Sequence, residues 1–478
     1  MDSIAHDEDV NVSVHETYDA VMSQKNNKAC GMDEISAEHL KFSSKKLFPL
    51  LALCFNAFVV HGILPDSLLA VILVPILKDK AGKINNRDNY RPIALASVLS
   101  KVLEKIILNK IELFLLTSEN QFGFKSQHGP DMCIFALKEI LDLYNRHNST
   151  IFMCFIDASK AFDRVNHDKL FHKLHNRGVP GSIVRILSFW YTHQLMYVRW
   201  GNCVSAPFKI SNGIRQGSIL SPLLFNVYMD DLSNWLQQCG TGCVVGGTII
   251  NHLMYADDLV IFSPCSAGLQ QLLRTCSNYG QEYDIQYNAL KSNIMIVRTK
   301  EDQKLVLPDF FLSGVVLRIC TAVKYLGHYI TDDLTDDMDI NRQRRLVYAQ
   351  ANMLLRKFRM CSVPVKVALF KAFCTPLYTA HLWRQYRQST LQKLKVAYND
   401  GMRLLLRMPR WTSASQLFIG VGVSTFHAVL RSLMYRFMGR LCVSTNNIIL
   451  LLIDISRSSV RCKSKMWTHW RCSLMAIQ

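Results

Sequence analysis

The chain has 478 residues and a mass of 54.7 kDa, too long for one ordinary domain and suited to two to four subdomains. Hydrophobic residues make up 49% and charged residues 19%, which excludes a disordered regulator, while 55 Lys plus Arg against 37 Asp plus Glu give a net charge of +18 that calls for a polyanionic partner or an anionic surface. The excess is uneven: residues 341–478 hold 23 bases and only two acids, Asp400 and Asp454, a net +21, and the first 340 residues carry −3.

The N-terminus is acidic and lacks an apolar signal core, and the fifteen cysteines include no C-x-x-C pair. Both features fit a reducing intracellular compartment, nucleus and/or cytoplasm. The apolar run Leu47 to Val60 contains Pro49 and Asn56 and is shorter than the roughly 18 residues of a membrane span, so no transmembrane segment and no membrane partner are expected. The part up to about residue 150 reads as mainly helical, although Pro92 favours an extended backbone at Arg91.

Ile151 to Ile156 are six apolar residues with strand character that end in Asp157. Further on, Arg215-Gln216-Gly217 precede Ser221-Pro222, which read as the cap and first residue of a helix. Gly217 permits close backbone approach and Gln216 offers both a donor and an acceptor. Cys239 and Cys243 stand among Gly240, Gly242, Gly246 and Gly247, a loop or hairpin. Leu253 to Phe262 places Asp257 and Asp258 between apolar flanks, as a tight β-hairpin with acids at its turn would. Neighbouring carboxylates in an apolar setting repel and lose hydration, which a divalent cation relieves. If the strand ending in Asp157 lies beside this hairpin, the three acids form the oxygen cluster that suits Mg²⁺ and phosphates. The competing readings are a solvated turn for Asp257 and Asp258 and a helix cap for Asp157.

Asp332, Asp333, Asp336, Asp337 and Asp339 mark a candidate domain boundary before the basic part. There Leu346, Ala349, Met353, Leu354 and Phe358, then Val367, Phe370 and Phe373, recur at helical spacing. Cys442, Cys462, His469 and Cys472 invite a zinc reading, but no close pair anchors it and the coincidental reading is preferred.

Several blocks together resemble a reverse transcriptase of the non-LTR (LINE-type) retrotransposons. Phe155-Ile156-Asp157-Ala158-Ser159-Lys160-Ala161-Phe162-Asp163 resembles motif A, Gly213-Ile214-Arg215-Gln216-Gly217-Ser218-Ile219-Leu220-Ser221-Pro222 motif B, and Tyr255-Ala256-Asp257-Asp258 motif C. Asn89-Tyr90-Arg91-Pro92-Ile93 and Gln121-Phe122-Gly123-Phe124 resemble blocks of the fingers. Asn288 with Leu290-Lys291-Ser292 is similar to motif D and Lys324-Tyr325-Leu326-Gly327 to motif E. Lys28-Ala29-Cys30-Gly31-Met32-Asp33 resembles the extra N-terminal motif of these elements, with Glu34 where a glycine is common.

The resemblance implies an α+β right-hand polymerase that copies RNA into DNA. It implies an N-terminal extension over 1–60, fingers over 61–150, a palm over 151–335 and a basic helical thumb and tail over 336–478. Asp157, Asp257 and Asp258 would be catalytic ligands of two Mg²⁺ ions, with Mn²⁺ as substitute. Lys291 would donate a proton to the departing pyrophosphate. Arg91, Phe162, Gln216 and Gly217 would bind the nucleotide, Arg91 as a bidentate clamp on the triphosphate and Phe162 as the ring that rejects a 2′-hydroxyl. The partners implied are an RNA template, a DNA primer or target and deoxynucleotides. Intact elements of this kind encode an endonuclease upstream, so the expectation is a 5′-truncated copy or partial gene model. The rival reading is an RNA-binding remnant that no longer polymerises, although no active-site residue is missing.

Overall fold

The computed structural model describes residues 10–79, 82–299, 301–304 and 306–458. The chain folds as two compact units built from interleaved segments. One takes the chain up to Phe124, then Ala158–Trp235 and Cys276–Tyr287; the other takes Lys125–Asp157, Leu236–Thr275 and the chain from Asn288 onward. Both mix helix and sheet, an α+β architecture.

The first unit carries a four-stranded sheet in the order Tyr90–Ala96, Ala70–Leu77, Leu195–Trp200, Cys203–Val204. Tyr90–Ala96 runs antiparallel to Ala70–Leu77, with Val71 opposite Ala96 and Leu77 opposite Tyr90. These two strands are the exceptions in a part up to about residue 150 whose other regular elements are helical, as its sequence reads. The run Ala70 to Leu77 contains Pro75, which argues against an inner strand, but its parallel partner covers only Ala70 to Leu73 and leaves Pro75 clear of that ladder. The following helix, Val98–Ile111, is capped by Ser97, whose hydroxyl accepts from the Leu99 amide at 3.1 Å.

The second unit is organised around a five-stranded sheet in the order Arg318–Ile319, Asn293–Val297, Ile151–Ile156, Asp258–Ser263, His252–Tyr255. All six residues of the central strand are buried, as expected of a continuous apolar run with sheet on both sides. The helix Pro130–Arg146 packs against His252–Tyr255 and buries Asp131, Lys138, Glu139 and Asp142 among its apolar residues. Those charges are paired. Lys138 bonds to Asp336, Arg384 pairs with Glu139 at 3.0 Å, and Trp383 Nε1 donates to Asp339 at 2.8 Å. The acidic run before the basic part therefore supplies a buried ion network. Burial alone would raise the Asp336 carboxyl, but the Lys138 charge and the bond to His328 outweigh it and hold the group well below the usual range.

From Asp337 onward every regular element among the described residues is helical. Ile340, Val347, Ala351 and Leu354 form the buried stripe, Met353 and Phe358 pack partly buried against it, and Leu346 remains 39% exposed. Apolar residues sit on more than one face of Asp337–Lys357, so periodicity identifies the helix without selecting its buried face. Cys243–Val245 and Thr248–Ile250 form the hairpin expected around the glycines. Of the zinc candidates, Cys462, His469 and Cys472 lie outside the described residues. Among those described, no single helix is long and apolar enough to cross a membrane, and Leu47–His61 is a short apolar helix.

Candidate active site

Three carboxylates are brought together by strand register in the second unit. Ile156 stands opposite Leu259 and Phe155 opposite Val260, so the antiparallel register carried one step further sets Asp157 level with Asp258. On the other side of Asp258, the hairpin pairs Tyr255 with Asp258 and leaves Ala256 and Asp257 as a two-residue loop. Ala256 sits at φ +56°, a left-handed conformation that favours glycine, so the tight turn is strained. The acids thus converge because a fully buried strand and a minimal hairpin end at the same level of one sheet.

Asp157 is braced from the segment read as motif D. Its amide donates to Ser292 Oγ at 3.1 Å, the Ser292 hydroxyl donates to the Asn288 carbonyl at 2.8 Å, and the Asn288 amide donates to the Asp157 carbonyl at 2.8 Å. Lys291 is exposed between these anchors. It lines, with Asp157, Asp258, Arg318 and Lys324, a cavity of about 380 Å³. The strand Ala322–Tyr325 and Leu326 form another wall; the strand pairs with His328–Thr331 in a hairpin turned through Leu326 and Gly327, both at positive φ. Tyr325 sets its ring tilted against Phe155, 5.3 Å between centroids, and its hydroxyl lies 3.2 Å from Cys133 Sγ. Burial pushes that thiol up to about 12, so Cys133 is an inert neighbour.

The electrostatics of the acids match their crowding. Asp258 keeps an open face toward the cavity but is ringed by protein, and burial followed by the charges of Asp257 and Asp157 pushes its carboxyl up to about 6. Among the described residues no group of three or more His, Cys, Asp or Glu side chains is closed into ligand geometry. The carboxylates are near enough to repel and have not converged on one point, a state that a divalent cation would relieve by drawing them together. Their all-oxygen chemistry fits a hard cation such as Mg²⁺.

The other four candidates belong to the first unit. Phe162 is half-buried in the short helix Ala161–Arg164, stacked on Phe225 at 4.2 Å between ring centroids and met edge-on by Phe124 at 6.1 Å. Two aromatic neighbours fix its ring. Backbone bonds join motifs A and B here: Gly213 donates to the Val165 carbonyl at 2.7 Å and Ile214 to the Phe162 carbonyl at 2.9 Å. The Gln216 amide Nε2 lies 3.3 Å from Asp163 Oδ1, and its carbonyl accepts from Ala94 at 2.8 Å, so the motif B loop docks on the edge strand Tyr90–Ala96. Gly217 follows at φ +115°, where a Cβ would meet the Ala94 carbonyl oxygen at 3.0 Å. Gly217→Ala should therefore destabilise this unit by about 1–3 kcal/mol, read as a lower urea midpoint; an unchanged midpoint would show that the loop yields freely. Arg91 is exposed on the same edge strand.

What holds the motif B loop was not anticipated. Arg215 is buried, pairs with the fully buried Glu104 at 2.5 Å and lies 4.8 Å above the Trp190 ring. The second Glu104 oxygen accepts from the Ile219 amide at 2.8 Å. The available signal was an acid among the apolar residues Val102, Leu103, Ile106 and Ile107 of one helix, a placement that demands a buried partner.

Comparison with known proteins agrees with these blocks. A family model described as reverse transcriptase (RNA-dependent DNA polymerase) matches residues 77–330. The RNA-directed DNA polymerase from mobile element jockey of Drosophila funebris is 26% identical over 458 residues, 91% of this chain and 48% of the relative. The probable RNA-directed DNA polymerase from transposon BS of Drosophila melanogaster is 27% identical over 451 residues, 90% of this chain and 48% of the relative. A Pol polyprotein from the type-1 retrotransposable element R2 of Popillia japonica is 28% identical over 280 residues, 56% of this chain and 38% of the relative. The chain thus spans about half the length of the jockey and BS relatives it matches.

Proposed function

We propose a function from the premise that this chain belongs to the reverse transcriptase (RNA-dependent DNA polymerase) family: it is an RNA-directed DNA polymerase of a non-LTR retrotransposon, adding deoxynucleotides to a primer 3′-hydroxyl along an RNA template. The observation that carries this reading is the strand register that sets Asp157 level with Asp258 beside Asp257, where burial and then the charges of Asp257 and Asp157 raise Asp258. In the right-hand arrangement, 61–150 act as fingers, 151–335 as palm and 336–478 as thumb and tail, behind an N-terminal extension over 1–60.

Reverse transcriptases generally use divalent metal ions, and Asp157, Asp257 and Asp258 are the residues that would hold two Mg²⁺ here, with Mn²⁺ as substitute. Bound there, the cations would supply Lewis acidity for the attacking hydroxyl and charge neutralisation for the leaving phosphate. The chain's own groups position and protonate. Lys291 reaches the cavity shared by Asp157 and Asp258 and gives a proton to the departing pyrophosphate oxygen. Arg91 clamps the triphosphate, and the Gln216-Gly217 backbone offers the close approach a nucleotide needs.

Phe162, held by Phe225 and Phe124, rejects a 2′-hydroxyl by contact. A primer-extension assay on a homopolymer RNA template tests the whole reading. The wild-type chain should extend the primer with deoxynucleotides and refuse ribonucleotides, and Phe162→Val should admit ribonucleotides. A chain that binds the primed template and incorporates nothing with Mg²⁺ or Mn²⁺ is the RNA-binding remnant instead. Unchanged sugar discrimination in Phe162→Val would remove that residue's role alone.

A further inference from the structure

Within the C-terminal helices, two loops form a basic cluster that the proposed chemistry does not use. The helix Asp337–Lys357 exposes Arg356 and Lys357 in its last turn and runs on to Arg359 and Met360. The helix Gln388–Leu406 ends at Arg407, followed by Met408, Pro409, Arg410 and Trp411. The loops touch, because Arg407 Nη2 donates to the Arg359 carbonyl at 3.4 Å.

Three features set this apex apart from an ordinary solvated surface. The first is charge: none of Arg356, Lys357, Arg359, Arg407 and Arg410 has an ion-pair partner among the described residues, and nearby Asp400 is taken by Arg403 at 2.9 Å. The second is apolar exposure, with Trp411 88% and Met360 90% accessible, although side chains of this kind are normally covered. The third is strain: Arg407 occupies the helix C-cap at φ +56°, where glycine is the usual residue. Favourable interaction with helix C-termini accounts for cations in a last turn, but not for a bare indole or for an arginine in a glycine conformation.

We propose that this apex is a binding site for single-stranded nucleic acid, in which Arg359, Arg407 and Arg410 hold backbone phosphates and Trp411 stacks on an unpaired base. The pairing of sequence-tolerant stacking with unpaired guanidinium groups is what a flexible, polyanionic strand with exposed π-faces requires. An anionic membrane interface also accepts an indole, so phosphatidylserine vesicles form the competing arm of the test. The inference rests on the proposed polymerase only for the source of the strand, template RNA or displaced DNA.

The test is equilibrium binding of the full chain to labelled single-stranded RNA, single-stranded DNA of the same sequence and duplex RNA, without nucleotides, followed by anisotropy across a salt series, with co-sedimentation on phosphatidylserine vesicles in parallel. Trp411→Ala should weaken single-strand binding roughly 5- to 100-fold without changing the salt slope, and Trp411→Phe should keep most of the affinity. Arg359→Ala with Arg410→Ala should lower the slope by about 1.4, near 0.7 per phosphate contact, and Lys45→Ala with Lys46→Ala, an exposed pair just ahead of Leu47–His61, should not. Arg407→Gly should weaken binding while its melting temperature holds or rises, which separates binding from folding. Loss on RNA alone assigns the strand to template; loss on both admits either strand. Wild-type affinity in Trp411→Ala, a slope change no larger than in the Lys45/Lys46 variant, or losses confined to phosphatidylserine vesicles would each overturn the site. Primer extension failing while these effects persist would sink the polymerase reading and leave this one standing.

Discussion

Asp257→Asn should lower primer extension by about 10³-fold or more while leaving affinity for the primed template unchanged, because a neutral amide keeps the hairpin but removes a charge worth several kcal/mol to a metal-assisted displacement. Asp258 extends the same prediction to pH. Its carboxyl is pushed up to about 6, above the ordinary 3.8, by burial and then by Asp257 and Asp157. A carboxyl raised on folding contributes stability that is fully present below about 3.8 and is lost as pH rises through about 6. Above that pH the protein without metal holds repelling charges. Added Mg²⁺ should raise the melting temperature most near pH 8, and the gain should shrink as pH falls through about 6, where protons compete for the same oxygens. Asp258→Asn should raise the metal-free melting temperature at neutral pH and abolish the Mg²⁺-dependent gain. Extension by Asp257→Asn at the wild-type rate, or a pH-independent Mg²⁺ effect, would exclude the carboxylates as the metal site.

Glu104→Ala should destabilise the first unit by about 3–5 kcal/mol, since it strands the Arg215 guanidinium in a buried site and leaves the Ile219 amide without its acceptor. A loss of that size is a large share of the stability of an ordinary domain, so the variant should unfold at much lower urea. Replacing both charges, Glu104→Leu with Arg215→Met, should recover much of the midpoint, because the expensive state is the unpaired charge. The double variant should still bind nucleotide weakly, with a raised KM, because the Ile219 amide no longer pins the loop that carries Gln216 and Gly217. A normal KM in the double variant would show that the loop is placed by its contacts with Ala94 alone.

Legibility followed the range of the interactions. The strand Ile151–Ile156 and the hairpin around Asp257 and Asp258 were readable because an unbroken apolar run and adjacent acids between apolar flanks are local patterns. The strands Ala70–Leu77 and Tyr90–Ala96 were not distinguished from helix, since their pairing is mutual and Pro75 weakens the strand signal of the first. In Asp337–Lys357 the period was right, and Met353 and Leu354 of that series pack, but the exposure of Leu346 was not legible because the partner that selects the face lies in Gln388–Leu406.

The sequence by itself determined the family and the order of its motif blocks, because those motifs constrain residues close together along the chain. It also located the basic charge in residues 341–478. Only the tertiary structure decided that Asp157 stands level with Asp258, that Ser292 and Asn288 brace Asp157, and that the acids Asp336 and Asp339 are buried against Lys138 and Trp383. It alone decided that Arg215 answers Glu104 across 111 positions of chain. A buried charge must find its counter-charge wherever folding places it, and that distance leaves no periodic mark in the sequence.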